Sequence, residues 1–192
     1  RGGLGVAGAL SHDSLTDDRL RGFLFAEGDF ALNRGFALDF SIKTVSDPAY
    51  LSDYNRDTAD RLDSTVALTR VRRNERTQAA LVHYESLRDD EENDTQPTIV
   101  LDLRHEHRFF PAALGGELRL GGLIHGHLRH SSRDTDGPDA DTEVDGRDVA
   151  RLGLDASWRN RWTMPGGLRA GASTHLWIDR FAVYQDATSD QD

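Results

Sequence analysis

Phe36–Tyr54, FALDFSIKTVSDPAYLSDY, decides how the chain is read. Its first half alternates: Phe36, Leu38, Phe40 and Ile42 take one parity, and Ala37, Asp39, Ser41 and Lys43 the other. A period of two is that of a strand with one apolar and one polar face. From Val45 the alternation gives way to a segment punctuated by Asp and Pro and carrying two tyrosines. A long strand that runs into a long loop is the unit the remaining sequence repeats.

Working outward, the same reading predicts nine strands, at about Gly2–His12, Arg19–Leu32, Gly35–Val45, Arg61–Arg72, Arg76–Arg88, Thr98–Phe109, Gly116–Ser131, Arg147–Trp162 and Leu168–Tyr184. Long connections follow the first, third, fifth and seventh; short ones follow the second, fourth, sixth and eighth. A three-residue Asn33-Arg34-Gly35 turn sets Leu32 against Phe36 and Phe30 against Leu38, so apolar meets apolar, and it places Gly at the position that needs positive φ. A turn centred between Ala112 and Ala113 would set Arg108 against Glu117 and Glu106 against Arg119, opposite charges across two strands. Pairing Trp162 with Leu168 would set Asp155 against His175 and Arg151 against Asp179.

Strands of this length exceed the globular average of about 5–6 residues and suit a tilted membrane strand, which needs roughly 9–11 in the apolar zone. Aromatic residues gather toward strand ends. Phe30, Phe36, Phe109, Phe110, Trp158 and Trp162 lie on the short-turn side, and Tyr84, Trp177, Phe181 and Tyr184 on the long-loop side, as two interfacial girdles would require. The expected fold class is therefore all-β, an antiparallel transmembrane β-barrel segment of about nine up-and-down strands. A soluble β-sandwich is the alternative, since it alternates too, but it needs neither the asymmetry of the connections nor the aromatic bands.

Composition bounds the function. The 192 residues contain no Cys, which excludes disulfides and thiolate metal sites. No apolar run approaches the ~20 residues of a membrane helix. A net charge of −10 argues against nucleic acid as a partner. The acid clusters Asp89-Asp90-Glu91-Glu92 and Asp134 to Asp148 read as solvated loops; the second has Ca²⁺-like oxygen density without EF-hand order. His105, His107, His125, His127 and His130 suggest a metal, but the expected register divides them between two faces. Ser11, His12 and Asp13 are chain neighbours on a strand and cannot form a triad. No enzyme and no cofactor are expected. An odd strand count, and Arg rather than Met at position 1, make residues 1–192 read as part of one larger barrel domain.

VSDPAYLSDY resembles a segment of the LPS-assembly protein family (LptD, also called OstA) in Val45, Ser46, Asp47, Tyr50, Leu51, Asp53 and Tyr54. RLRGFLFAEGDFAL before it, and LDSTVALTRVRR, QPTIVLD and GRDVARLGLDASW after it, are similar to the same family. The resemblance implies the lipopolysaccharide translocon in the outer membrane of a Gram-negative bacterium: a periplasmic jelly-roll followed by a C-terminal barrel of about 26 strands. The jelly-roll and the barrel-closing strands would lie outside this segment. It implies lipopolysaccharide as cargo, a plug lipoprotein inside the barrel, and periplasmic bridge proteins that meet the jelly-roll. Even-parity apolar residues would face lipid. Arg21, Lys43, Arg119, Arg151 and Asp155 are lumen candidates on parity, and Asp47, Tyr50 and Asp53 are expected to shape the turn around Pro48. A general porin or receptor barrel is the rival function, and a soluble adhesin a further one.

Overall fold

The computed structural model describes residues 1–12, 20–54, 59–88, 91, 93, 96–97, 99–129 and 148–184. Nine strands form a single antiparallel sheet in chain order: β1 Gly2–His12, β2 Leu20–Ala31, β3 Phe36–Val45, β4 Arg61–Arg72, β5 Glu75–Ser86, β6 Ile99–Phe109, β7 Glu117–Leu128, β8 Asp148–Thr163 and β9 Arg169–Tyr184. Each strand pairs only with its sequence neighbours, and the sheet does not close on itself. Its sole α-helical turn among the described residues is α1, Tyr50–Asp53.

Local chemistry accounts for the hairpins. The β2–β3 turn has the expected three residues: Leu32 N–H donates to Phe36 O at 2.7 Å, and Phe30 faces Leu38. Gly35 takes φ +79°, and Arg34 also enters the left-handed region at +62°. The β4–β5 turn is tighter than expected, Arg73-Asn74 alone, because Arg72 pairs with Glu75.

Two registers differ from expectation by two residues. In β6–β7 the turn runs on to Gly115 and Gly116, both at positive φ, so Arg108 faces Arg119 and Glu106 faces Gly121. In β8–β9 the ladder extends to Met164 and Leu168, leaving Pro165-Gly166-Gly167 as the loop, so Trp162 faces Ala170, Asp155 faces Trp177 and Arg151 faces Phe181. A slip of two keeps every side chain on its face. The intended partners therefore meet diagonally: Arg119 and Glu106 at 3.4 Å, Arg151 and Asp179 at 3.0 Å, and His175 and Asp155 at 4.0 Å.

The registers join into two faces. One carries Leu4, Val6, Leu24, Phe40, Val66, Leu81, Leu101, Ile124, Leu152, Leu154 and Ile178, linked strand to strand. The other carries Arg21, Glu27, Asp29, Asp39, Lys43, Asp102, Arg119, Arg151 and Asp155 on the opposite parity. Most of the large apolar side chains on the first face are exposed. Among the described residues no second sheet covers them, so these strands do not form a sandwich.

Parity alone misassigns two features. In β5 the even residues Ala80, Val82 and Tyr84 fall on the charged face, because Val82 faces Thr65 and Val100, while Leu81 faces Val66 and Leu101 on the apolar face. The expected long-loop girdle also divides: Tyr84, Trp177 and Phe181 share the charged face, and Tyr184 alone has the parity of Ile178. The short-turn aromatics Phe30, Phe36, Phe109, Trp158 and Trp162 keep to the apolar parity, and Trp158 Nε1 donates to Gly115 O at 2.9 Å.

A Cβ at Gly116 would collide with the Arg159 carbonyl oxygen, and the backbone there has φ +73°. Gly116→Val should destabilise the β6–β8 region by about 1–3 kcal/mol for the strained backbone alone. Gly126→Val, whose Cβ would approach Val149 O at an ordinary 3.5 Å, should be tolerated. The fraction of full-length protein that keeps its folded mobility on unheated gels measures both.

Candidate functional site

A single-layer sheet has little interior. The fully buried apolar residues among those described are Tyr50, Leu51 and Leu62, packed with Phe23, Phe25, Val45, Tyr54 and Leu87. Two of the three come from the VSDPAYLSDY segment, so this segment supplies the sheet with its only described core.

The route into it follows from the β2–β3 register. Phe23 faces Val45, and the next rung continues beyond the strand: Ser46 N–H donates to Gly22 O, and Gly22 N–H donates to Ser46 Oγ, both at 2.9 Å. Gly22 also suits its neighbour β1, since a Cβ there would lie 2.5 Å from Ala9 O. One residue further on, Asp47 meets Arg21. Pro48 and the α1 turn then fold the chain back, with Asp53 N–H on Ala49 O at 2.9 Å.

Arg21 is 4% exposed. Its Nε donates to Asp47 Oδ2 at 2.8 Å, and its Nη2 to Asp47 Oδ1 at 2.5 Å and Asp53 Oδ2 at 3.0 Å. The Asp47 pair is a two-pronged guanidinium–carboxylate contact, the strongest geometry for such ions. The guanidinium also lies 5.6 Å and 5.8 Å from the ring centres of Tyr50 and Tyr54. Ser46 Oγ donates to Asp47 Oδ2 at 2.8 Å, and Tyr50 OH and Ser11 Oγ share a hydrogen bond of 3.0 Å. Hydrogen bonding from Arg21 holds the Asp47 carboxyl below its usual range, against the opposing effect of burial.

Why the segment packs here is visible in β4. The β3–β4 ladder ends at Ser41 and Thr65. Beyond it, Ser64 Oγ accepts from Lys43 N–H at 2.9 Å and donates to Lys43 O at 3.0 Å. A side chain has replaced a rung of the ladder, and the strands part. Leu62 has the parity of the apolar face, Phe23 and Phe25 that of the charged face, yet all three pack with Tyr50 and Leu51.

The other expected positions lie apart from this cluster, and three of them, Arg119, Arg151 and Asp155, line one concavity on the charged face. Lys43 Nζ lies 5.9 Å from the Phe25 ring centre. Arg119, Arg151 and Asp155 stand on β7 and β8, on the same face but in separate ion pairs. His105 and His107 share the apolar parity; His125 and His127 lie on the charged face, with His125 Nδ1 2.8 Å from Asp102 Oδ1. His130, and Asp134 to Asp145 of the acidic loop, lie outside the described residues. Asp47 and Asp53 do more than shape a turn: they hold Arg21. Sequence reasoning missed this although the signal was there, since the same hairpin register that pairs Phe30 with Leu38 brings Arg21 opposite Asp47.

A family model described as LptD, LPS transport system D, matches residues 19–192. The chain belongs to the LptD family. Its membership gives the chain a role in lipopolysaccharide transport and assembly at the outer membrane. No curated protein matches the chain. The matched range contains every member of the Arg21 cluster except Ser11.

Arg21→Ala removes both ion pairs and should loosen the segment more than Tyr50→Phe, which loses one neutral hydrogen bond and should cost about 1 kcal/mol. Limited proteolysis within 46–54 of the folded full-length protein reads both. Because the Asp47 pKa is lower in the folded state than unfolded, its stabilisation is complete above about pH 4 and is lost as pH falls through the folded value. Hydrogen-exchange protection of the Tyr50–Tyr54 amides should therefore hold steady from neutral pH down to about 4 and fall below that.

Proposed function

We propose that the chain is a stretch of barrel wall in the lipopolysaccharide translocon, within one C-terminal transmembrane barrel domain of the outer membrane. The observation that carries this reading is the pair of faces. A continuous apolar face nine strands wide has no protein layer over it. Soluble monomers rarely expose contiguous apolar patches beyond a few hundred Å², whereas a barrel wall in lipid must expose such a face and complete its backbone hydrogen bonds between strands.

In this reading the apolar face meets lipid and the charged face, with Arg21, Lys43, Arg119, Arg151 and Asp155, lines the lumen. The Val45–Tyr54 segment folds inward from the long-loop end and is fastened there by Arg21. It narrows the external mouth and braces the wall where β3 and β4 part. The cargo is lipopolysaccharide, the partners are a plug lipoprotein inside the lumen and periplasmic bridge proteins that reach the barrel through another domain, and the role is transport and not catalysis. Neither nucleic acid nor a cofactor has a part in it.

Because residues 1–192 have no Cys, a cysteine introduced among them, with any elsewhere in the full-length protein replaced, reports its own face. Leu154→Cys should resist a small charged thiol reagent in intact outer membranes and react with a lipid-soluble one. Ser157→Cys, on the opposite face, should react with the charged reagent once the plug is removed. Equal reactivity of both positions toward the charged reagent would defeat the wall reading. A photo-crosslinker at Arg151 should capture a small lipoprotein in the translocon; a full-length protein that purifies alone and conducts small solutes would instead be a porin.

A further inference from the structure

The β6–β7 register leaves an unusual juxtaposition at the short-turn end of the charged face. Arg108 and Arg119 stand directly opposite each other. Like charges in that position repel and destabilise a sheet. On either side, Arg76 faces Glu106 and Arg159 faces Glu117. Arg159 Nη2 bonds Glu117 at 3.0 Å, and Arg119 Nη1 reaches Glu106 at only 3.4 Å. Among the described residues the Arg76 and Arg108 guanidinium groups have no carboxylate partner, that of Arg108 donating to the Arg73 carbonyl oxygen. Arg119 Nε is buried without a hydrogen-bond acceptor, a state that buried donors rarely keep.

These side chains line one concavity of about 450 Å³, to which Ser157 also contributes. Arg76, Arg108, Arg119 and Arg159 bring four positive charges against two from Glu106 and Glu117. At the rim Glu75 is already paired with Arg70, and Arg72 donates to the Arg34 carbonyl oxygen. A site with an excess of guanidinium donors, an unmet N–H and a repelling pair is short of one multiply charged oxygen anion.

We propose that this concavity binds a phosphate group, held by Arg76, Arg108 and Arg119 with Ser157 as a further donor. Guanidinium forks suit phosphate oxygens, and a bound anion would turn the Arg108–Arg119 repulsion into a shared attraction. The site rests on the charges of this face and not on the wall reading, so the two stand or fall separately.

The test uses the full-length protein in neutral detergent at constant ionic strength, titrated calorimetrically with inorganic phosphate and with water-soluble headgroups of a phosphorylated glycolipid and its dephosphorylated counterpart. Arg108→Gln should weaken phosphate binding on the order of tenfold, while leaving the melting temperature in phosphate-free buffer unchanged or raised, since it removes a like-charge pair. Arg119→Gln should weaken binding similarly. Arg180→Gln, the same charge change on the opposite parity beside Leu152, should leave binding intact. Stronger binding of the phosphorylated headgroup than of inorganic phosphate makes a lipid headgroup the ligand; equal or weaker binding makes it free phosphate. Three results would overturn the proposal: no phosphate binding, equal weakening by Arg180→Gln, or a lower melting temperature in Arg108→Gln with phosphate affinity unchanged.

Discussion

A sheet one layer thick constrains everything else in this molecule. The inner strands, β2 to β8, pair their backbone groups with a neighbour on either side, so the ladder forms without a core. Its side chains have no such solution. With no second layer, the apolar residues of one face remain exposed, and the ionic residues of the other must find partners among themselves. The short turns and the strict alternation serve the first requirement; the cross-strand and diagonal ion pairs serve the second.

The Val45–Tyr54 segment is the exception to that economy, and its chemistry explains why. Where β3 and β4 separate, the sheet loses rungs, and Ser64 fills one with its hydroxyl. The opening would admit water to Leu62 and Phe23. Tyr50 and Leu51 close it, and Arg21 fixes them there through Asp47 and Asp53. A buried guanidinium is tolerable only because two carboxylates and two aromatic rings surround it. The residues that carry the family resemblance are thus largely the residues that make a local core possible in a sheet that has none elsewhere among the described residues.

Charge is unevenly divided along the polar face. β2 and β3 present Glu27, Asp29 and Asp39 against Arg21 and Lys43, whereas β6 to β8 present Arg104, Arg108, Arg119, Arg151 and Arg159 against Asp102, Glu106, Glu117 and Asp155. The Arg21 cluster lies at the long-loop end, and Arg108, Arg119 and Arg159 lie toward the short-turn end.

The sequence by itself determined the strands, nearly to the residue, because each hydrophobic alternation is a local record of which side of a pleat a residue occupies. It also carried the β2–β3 register, where Gly35 and apolar pairing select one turn, and through that register it contained the Arg21–Asp47 contact. Only the tertiary structure decided the β6–β7 and β8–β9 registers, because two consecutive glycines allow a turn to shift by a residue while every side chain keeps its face. It alone showed Ala80, Val82 and Tyr84 on the charged face, since parity within a strand is relative until the neighbouring strands set its sign. The fold-back of Tyr50–Tyr54 onto Leu62 and Phe23 likewise depends on the parting of β3 and β4, an event between strands that no single stretch of sequence records.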